Sequence, residues 1–337
     1  MSAPKIRVHF TDFWSGFDHQ DNFVVDALRP EFDPIPDPQD PEIVFYSCFG
    51  SDHLDHECTR VFLSGENQVP DFNLCDYAVS MNAISFGARH LNFPLYALEA
   101  KVMDALTGRA PLTPADVEGR AFCNFIYSNP TADPIRDAFF HVLTARRPVA
   151  SFGRHLKNTE VAFADRYETD FTTSKIEAMR DYIFSIAFEN GASDHYTTEK
   201  LPHALAARTI PIYWGDARVT DVFNPGCLIE ARRFESLEAL ADHVLALADD
   251  PDRLLDHLNA PVFPGDALPE ALRIETLRAF LQAIAARPAE NRRIRPRHSR
   301  IAVYEAQVKR DKLRAAQMAK LRNPKRALRD WLRGGRG

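Results

Sequence analysis

Apolar positions along the chain fall into short runs separated by polar, Pro-rich and Gly-rich stretches. Residues 5–10 alternate and predict an opening strand, and residues 21–28 predict a short helix. Residues 33–38 read Asp-Pro-Ile-Pro-Asp-Pro and predict an extended connector, because repeated proline forbids a helix or a central strand. Continuous apolar runs at 43–47 and 60–64 predict strands buried on both faces, the mark of a parallel sheet covered by helices. The pattern weakens between 100 and 120, at Gly108, Pro111, Pro114 and Gly119, which places a domain boundary there. It then resumes with strands at 121–127, 148–152, 182–188 and 209–214. Helices are predicted at 134–145, 175–180, 199–207 and 236–248. The expected fold is α/β, two Rossmann-like domains facing a central cleft. The expected segments are 1–110, 111–290 and a basic helical tail at 291–337.

Composition agrees with a globular chain. The 337 residues are 45% hydrophobic and 26% charged, enough for two cores. No window approaches the ~18 apolar residues of a membrane span, and no leader is visible behind Met1. Five scattered cysteines without CxxC spacing predict reduced thiols and a cytoplasmic location.

Charge is unevenly placed. From Arg292 to Gly337 there are 16 Lys and Arg against 3 acidic residues, leaving 25 against 44 in the rest. A basic tail carrying Leu328, Trp331 and Leu332 predicts a peripheral contact with an anionic membrane surface at the inner face, with a solvated tail as the alternative. Nucleic acid is not expected as a partner, since no stacking or groove-reading module is evident.

The densest cluster of candidate chemistry runs from Phe188 to Gly215. A buried strand is expected to end at Phe188, followed by a polar loop and a helix start at Thr197-Thr198-Glu199-Lys200. Loops at the carboxyl ends of parallel strands are where such sheets bind ligands. A Thr cap with a free helix N-terminus would offer N–H groups to a phosphate. Lys200 opposes the helix dipole, which makes sense if a pyrophosphate lies there. Glu199 could accept both hydroxyls of a ribose.

Glu189-Asn190, then Tyr196-Thr197-Thr198-Glu199-Lys200, then Ile210-Pro211-Ile212-Tyr213-Trp214-Gly215, resembles the signature of glycosyltransferase family 10, the α1,3/4-fucosyltransferases. The resemblance implies a GT-B fold and GDP-fucose as donor. It implies that Lys200 and Arg154 neutralise the pyrophosphate, that Glu199 binds the ribose, and that Asn190 and Tyr196 contact the donor. Thr198 and the strand-end motif Ser128-Asn129-Pro130 are further candidate donor contacts, the latter readable equally as a turn. Gly65-Glu66-Asn67 with Pro70-Asp71-Phe72-Asn73-Leu74 is similar to the family's first-domain motif and implies Glu66 as the general base. Phe13 and Trp14, in an aromatic stretch after the first strand, are candidate acceptor contacts or simple packing.

The implied reaction is inverting α1,3-transfer of L-fucose to the N-acetylglucosamine or glucose of a Galβ1,4-linked oligosaccharide acceptor. Alternatives are α1,4 or dual linkage, or a binding protein of the same fold. No metal is expected to be required, although a divalent cation could stimulate. Asp52-His53-Leu54-Asp55-His56-Glu57-Cys58 lacks the spacing of a zinc site, and Asp250-Pro251-Asp252 reads as a helix terminus.

Overall fold

The computed structural model describes residues 3–162, 164 and 171–322. It divides into two compact units: 1–80, 86–91 and 277–337 in unit 1, and 81–85 with 92–276 in unit 2.

Unit 1 is built on a six-stranded sheet in the order β2-β1-β3-β4-β5-β6. Its strands are β1 (Lys5–Thr11), β2 (Asp33–Pro36), β3 (Ile43–Tyr46), β4 (Thr59–Leu63), β5 (Tyr77–Ser80) and β6 (His90–Asn92). β3, β4 and β5 are buried at every residue, as expected for parallel strands covered on both faces. The proline connector is itself an edge strand, with Pro34 and Pro36 paired in parallel to Ile6 and Val8. Proline is tolerated there because one edge of the strand needs no ladder donors. Helix α1 (Phe23–Leu28) starts where the Asn22 side chain accepts from Val24 and Val25 N–H.

Unit 2 carries a parallel five-stranded sheet, β11-β10-β9-β7-β8. After the short helices α2 (Ala100–Asp104) and α3 (Pro114–Val117) come β7 (Ala121–Phe125), α4 (Pro134–Thr144), β8 (Val149–Ser151) and α5 (Phe171–Met179). Then follow β9 (Tyr182–Phe188), α6 (Lys200–Ala206), β10 (Ile210–Trp214), β11 (Ile229–Glu230), α7 (Leu237–Ala248) and α8 (Pro251–Asn259). Alternation along β9 sends Phe184, Ile186 and Phe188 into the core with Phe139 and Leu240, while Ser185 bonds Asn124 and Thr209. Asp250 accepts from Arg253 N–H and opens α8 with Pro251 in its first turn, so this Asp-Pro-Asp run is a helix start.

The chain returns to unit 1 within α9 (Ile274–Ala285), followed by α10 (Ala289–Arg292) and α11 (Ser299–Arg322). This return differs from the expected layout, in which a boundary near 100–120 and a separate tail from 291 were drawn. Polar anchors explain it. Asp76, fully buried, accepts from the N–H groups of Ile294 and Arg295 at 2.7 Å each and pairs with the Arg295 guanidinium. Arg60, also fully buried, donates to the carbonyls of His56, Leu54 and Leu74 and meets Glu305 at 2.6 Å. Tyr304 donates to Asp71 at 2.6 Å, Lys309 pairs with Asp55, and Lys312 donates to the Gly50 carbonyl at 2.5 Å. The first half of the basic stretch is thus docked on the body of unit 1. Leu328, Trp331 and Leu332 lie outside the described residues.

All five thiols are unpaired. Burial pushes Cys58 up to about 11 and Cys75 and Cys227 to about 12, which makes them poor nucleophiles. Among the described residues no helix is long and apolar enough to cross a membrane.

Candidate functional site

In unit 2 the candidate donor residues sit on the loops at the carboxyl ends of β7, β8 and β9. The centre of the cluster is Glu189, the first residue after β9 and fully buried. Its carboxylate accepts from Thr198 N–H and Thr198 Oγ1 at 2.7 Å each, and lies 3.1 Å from Lys200 Nζ. Lys200 also donates to Thr198 Oγ1 at 2.8 Å and stands 3.7 Å from Glu199. A Cβ on Gly215 would lie 2.5 Å from Glu189 Cγ, so only glycine lets the β10 exit pass this carboxylate.

This geometry corrects the expected Thr cap. Helix α6 begins at Lys200 with Glu199 at the cap position and no side-chain cap bond. Thr198, expected to cap the helix, instead gives its N–H and hydroxyl to a carboxylate nine residues upstream. The positive charge of this loop is the Lys200 side chain, on the first residue of α6. Burial alone would depress the Lys200 ammonium, but Glu189 and Glu199 together hold it above its ordinary range. Burial pushes the Glu189 carboxyl up, with Lys200 opposing. For Glu199 the burial cost is outweighed by Lys200, Lys175 and His203, which hold it below the usual carboxylate range.

The loop between Asn190 and Thr198 is shaped from behind by Asp216, which is 3% exposed. Its carboxylate accepts from His195 N–H and Arg218 N–H at 2.8 Å each, and from Thr197 Oγ1. His195 takes a left-handed conformation, φ 63°, held by this bond. Thr197 also meets Tyr213 Oη at 3.0 Å. Tyr196 is buried and Asn190 half-buried.

Arg154 follows β8 and has an exposed side chain. Its loop is fixed on both sides: a Cβ on Gly153 would stand 2.2 Å from the Tyr127 carbonyl oxygen, and His155 N–H donates to that same oxygen at 2.8 Å. His155 Nε2 meets Asp137 at 2.7 Å, and Asp137 also takes Arg136 Nε at 3.0 Å. Ser128 and Asn129 are exposed after β7, where Asn129 Oδ1 accepts from Thr131 N–H and closes a tight turn.

Behind α6 lies a buried polar chain that sequence reading missed. Lys175 Nζ is 3.2 Å from His203 Nδ1, and His203 Nε2 is 2.9 Å from Glu99. A lysine donating to Nδ1 leaves Nε2 carrying the proton toward Glu99. His203 N–H also donates to the Glu199 carbonyl, so the chain buttresses the turn carrying Glu199.

In unit 1, Glu66 sits exposed on the turn after β4, its N–H bonded to Ser64 Oγ at 3.0 Å. Phe13 and Trp14 follow β1, with Phe13 stacked on Phe17 at 3.9 Å and Trp14 edge-on to both. Asp52 to Asp55 form a short helical turn, and among the described residues no three His, Cys, Asp or Glu are grouped to hold a metal.

Two family models match this chain. The Alpha-(1,3)-fucosyltransferase FucT N-terminal domain covers residues 8–99, and the Glycosyltransferase family 10 (fucosyltransferase) C-terminal model covers residues 119–259. The chain belongs to glycosyltransferase family 10. Among family relatives, the Alpha-(1,3)-fucosyltransferase FucT of Helicobacter pylori is 28% identical over 297 residues, 76% of this chain. The match spans 60% of that relative's length. An Alpha-(1,4)-fucosyltransferase of Arabidopsis thaliana is 43% identical over 74 residues, 22% of this chain and 18% of the plant protein. A crystal structure of an alpha1,3-fucosyltransferase with GDP-fucose superposes with TM-score 0.71 at 25% identity, covering 88% of this chain and 94% of that one. Another, with GDP, gives 0.68 at 26% identity, covering 86% and 92%. The α/β architecture with parallel sheets is thus that of a family-10 fucosyltransferase structure. Within this family-10 chain the sequence signature named Lys200, Glu199, Asn190 and Tyr196. Glu189 stands in that signature without a role there; its pairing with Thr198 and Lys200, and the parts played by Asp216, Asp137 and the Glu99–His203–Lys175 chain, emerge only from tertiary contacts.

Proposed function

We propose that the chain is an inverting α1,3-fucosyltransferase. On this reading it moves L-fucose from GDP-fucose to a hydroxyl of the N-acetylglucosamine or glucose in a Galβ1,4-linked glycan. The observation that carries the reading is the clustering of Lys200, Glu199, Asn190 and Tyr196 at the β9 exit, with Arg154 at the β8 exit of the same sheet. Lys200 supplies a point charge and Arg154 a planar fork, a pairing suited to a pyrophosphate. Glu199, kept ionised by its cationic neighbours, is an acceptor for ribose hydroxyls. Ser128, Asn129 and Thr198 are further donor contacts in this reading. The α1,3 linkage is taken from the relatives that cover most of the chain; the α1,4-named relative covers only a fifth of it.

Glu66 takes the proton from the acceptor hydroxyl as it attacks the anomeric carbon with inversion. GDP leaves with its new charge held by Lys200 and Arg154. Because these two residues supply positive charge themselves, a divalent cation is a stimulant at most. Phe13 and Trp14 offer ring faces to the acceptor sugar, and the basic C-terminal segment contacts an anionic membrane surface.

Glu66→Ala and Glu66→Gln test the assignment in an assay of GDP-fucose with N-acetyllactosamine, its β1,3-linked isomer and lactose, with and without chelator. Transfer should fall at least 100-fold while GDP binding by calorimetry stays within twofold. Full transfer by either variant would refute Glu66 as the base.

A further inference from the structure

The turn that carries Phe13 and Trp14 is locked from below. Asp12 adopts a left-handed backbone, φ 60°, which a non-glycine residue holds only when surrounding contacts over-determine it. Those contacts are present. Asp12 Oδ1 accepts from Asp52 N–H at 2.9 Å. Oδ2 accepts from His53 N–H at 2.9 Å and meets His53 Nδ1 at 2.6 Å. The carbonyl of Asp12 accepts from Phe49 N–H at 3.0 Å. Both side chains are nearly fully buried, at 2% and 3% exposed, and the His53 ring stacks on Tyr46 at 3.8 Å.

The close approach is deliberate in the backbone. A Cβ on Gly50 would fall 2.1 Å from Asp12 Oδ1, so the loop after β3 can pass this carboxylate only as glycine. Lys312 of α11 grips the Gly50 carbonyl from the outside. The segments that follow β1 and β3 are thereby tied through one carboxylate, Asp12 and His53 standing 41 residues apart in the chain.

Directly after this anchor the chain exposes apolar rings. Trp14 is 42% exposed, standing edge-on to the Phe13–Phe17 stack, which rests on Phe10. Exposed aromatic surface on a rigid turn at the carboxyl edge of a parallel sheet is a preorganised recognition element, since rings already fixed lose little freedom on binding. We infer that Asp12 and His53 are positioning residues that hold the Phe13–Trp14–Phe17 rings as a preformed platform for the acceptor sugar. The inference rests on the fucosyltransferase reading above and adds to it the pair that sets acceptor recognition.

The test measures acceptor and donor KM separately for Asp12→Asn, His53→Gln and Trp14→Ala, with melting curves to verify folding. Asn tolerates the left-handed backbone but puts an amide N–H₂ where an acceptor oxygen is needed. The acceptor KM should rise at least fivefold more than the donor KM in Asp12→Asn, and in the same sense in Trp14→Ala. An acceptor KM raised only in Trp14→Ala overturns the positioning role while leaving the platform and the transferase reading intact. An unchanged acceptor KM in Trp14→Ala removes the platform and the inference with it. Equal loss in acceptor and donor terms marks general destabilisation and also overturns the inference. Should Asp12→Asn fail to fold, His53→Gln decides: it keeps the carboxylate and its backbone bonds, and an unaltered ratio of the two KM values refutes the role.

Discussion

The Glu189 carboxylate and the Lys200 ammonium stand 3.1 Å apart, the first fully buried and the second 14% exposed. Thr198 bridges them, donating to the glutamate and accepting from the lysine. The cation assigned to the pyrophosphate is therefore held in place before any ligand arrives, and a second carboxylate, Glu199, lies on its other side. Two of its N–H donors go to Glu189 and Thr198 and Glu199 stands 3.7 Å away, so an incoming phosphate shares the ammonium with carboxylates rather than meeting a free charge.

Removing either member has different consequences. Glu189→Ala leaves the buried Thr198 N–H without its acceptor and Lys200 without its nearer carboxylate, and should cost about 3 kcal/mol in urea unfolding. Lys200→Ala should cost stability too and raise the Kd for GDP at least tenfold. Unchanged GDP affinity by calorimetry would show that the donor site lies elsewhere.

Gly153 offers a cleaner test of the Arg154 loop. An added Cβ would meet the Tyr127 carbonyl at 2.2 Å and its nitrogen at 2.5 Å, both backbone atoms that cannot swing away. Gly153→Ala is expected to push the loop outward, lowering stability by about 2 kcal/mol and weakening GDP binding severalfold. Arg154→Ala should weaken GDP binding with little effect on the melting midpoint, since its side chain is exposed.

Sequence showed the strands buried on both faces, because Ile43 to Tyr46 or Tyr182 to Phe188 can be read as continuous apolar runs. It did not show β5, whose four residues follow a polar loop motif at once, nor the two-residue β11. The loop from Asn190 to Thr198 was visible as a spacing. What Thr198 does was not, since a Thr before a helix looks like a cap until its partner nine residues upstream is known. The same holds for Asp12 and His53: a metal-like string of His, Asp and Glu hid a pairing made across two strand exits.

His203 gives a pH dependence with a definite sign. Burial and the nearby Lys175 lower its pKa, against the opposing effects of Glu99 and Glu199. Below the ordinary value near 6.5 the unfolded chain binds a proton that the folded chain still refuses. Stability is then present above that value and lost as pH falls toward the folded pKa, by about 1.4 kcal/mol per pH unit for one such histidine. Urea midpoints at pH 7.0, 6.0 and 5.0 should fall in order, and His203→Gln should flatten the decline. A parallel decline in that variant would assign the effect to other histidines.

The basic C-terminal stretch can be divided by experiment, because its two halves are expected to do different things. Residues 299–322 form α11, and Glu305 on this helix is the carboxylate partner of the fully buried Arg60. Removing 299–337 takes the carboxylate from that buried guanidinium, which keeps only backbone carbonyls, and should cost unit 1 about 3 kcal/mol, visible as an earlier melting transition. Residues 323–337 include Lys325, Arg326, Arg329, Arg333 and Arg336 beside Leu328, Trp331 and Leu332. Each basic residue near an anionic leaflet contributes about 1 kcal/mol, and the effect fades with salt. A chain ending at Arg322 should therefore melt like the full chain yet lose at least tenfold in binding to phosphatidylglycerol vesicles at low ionic strength. Equal vesicle binding by both chains would show that the terminal segment is not the membrane contact.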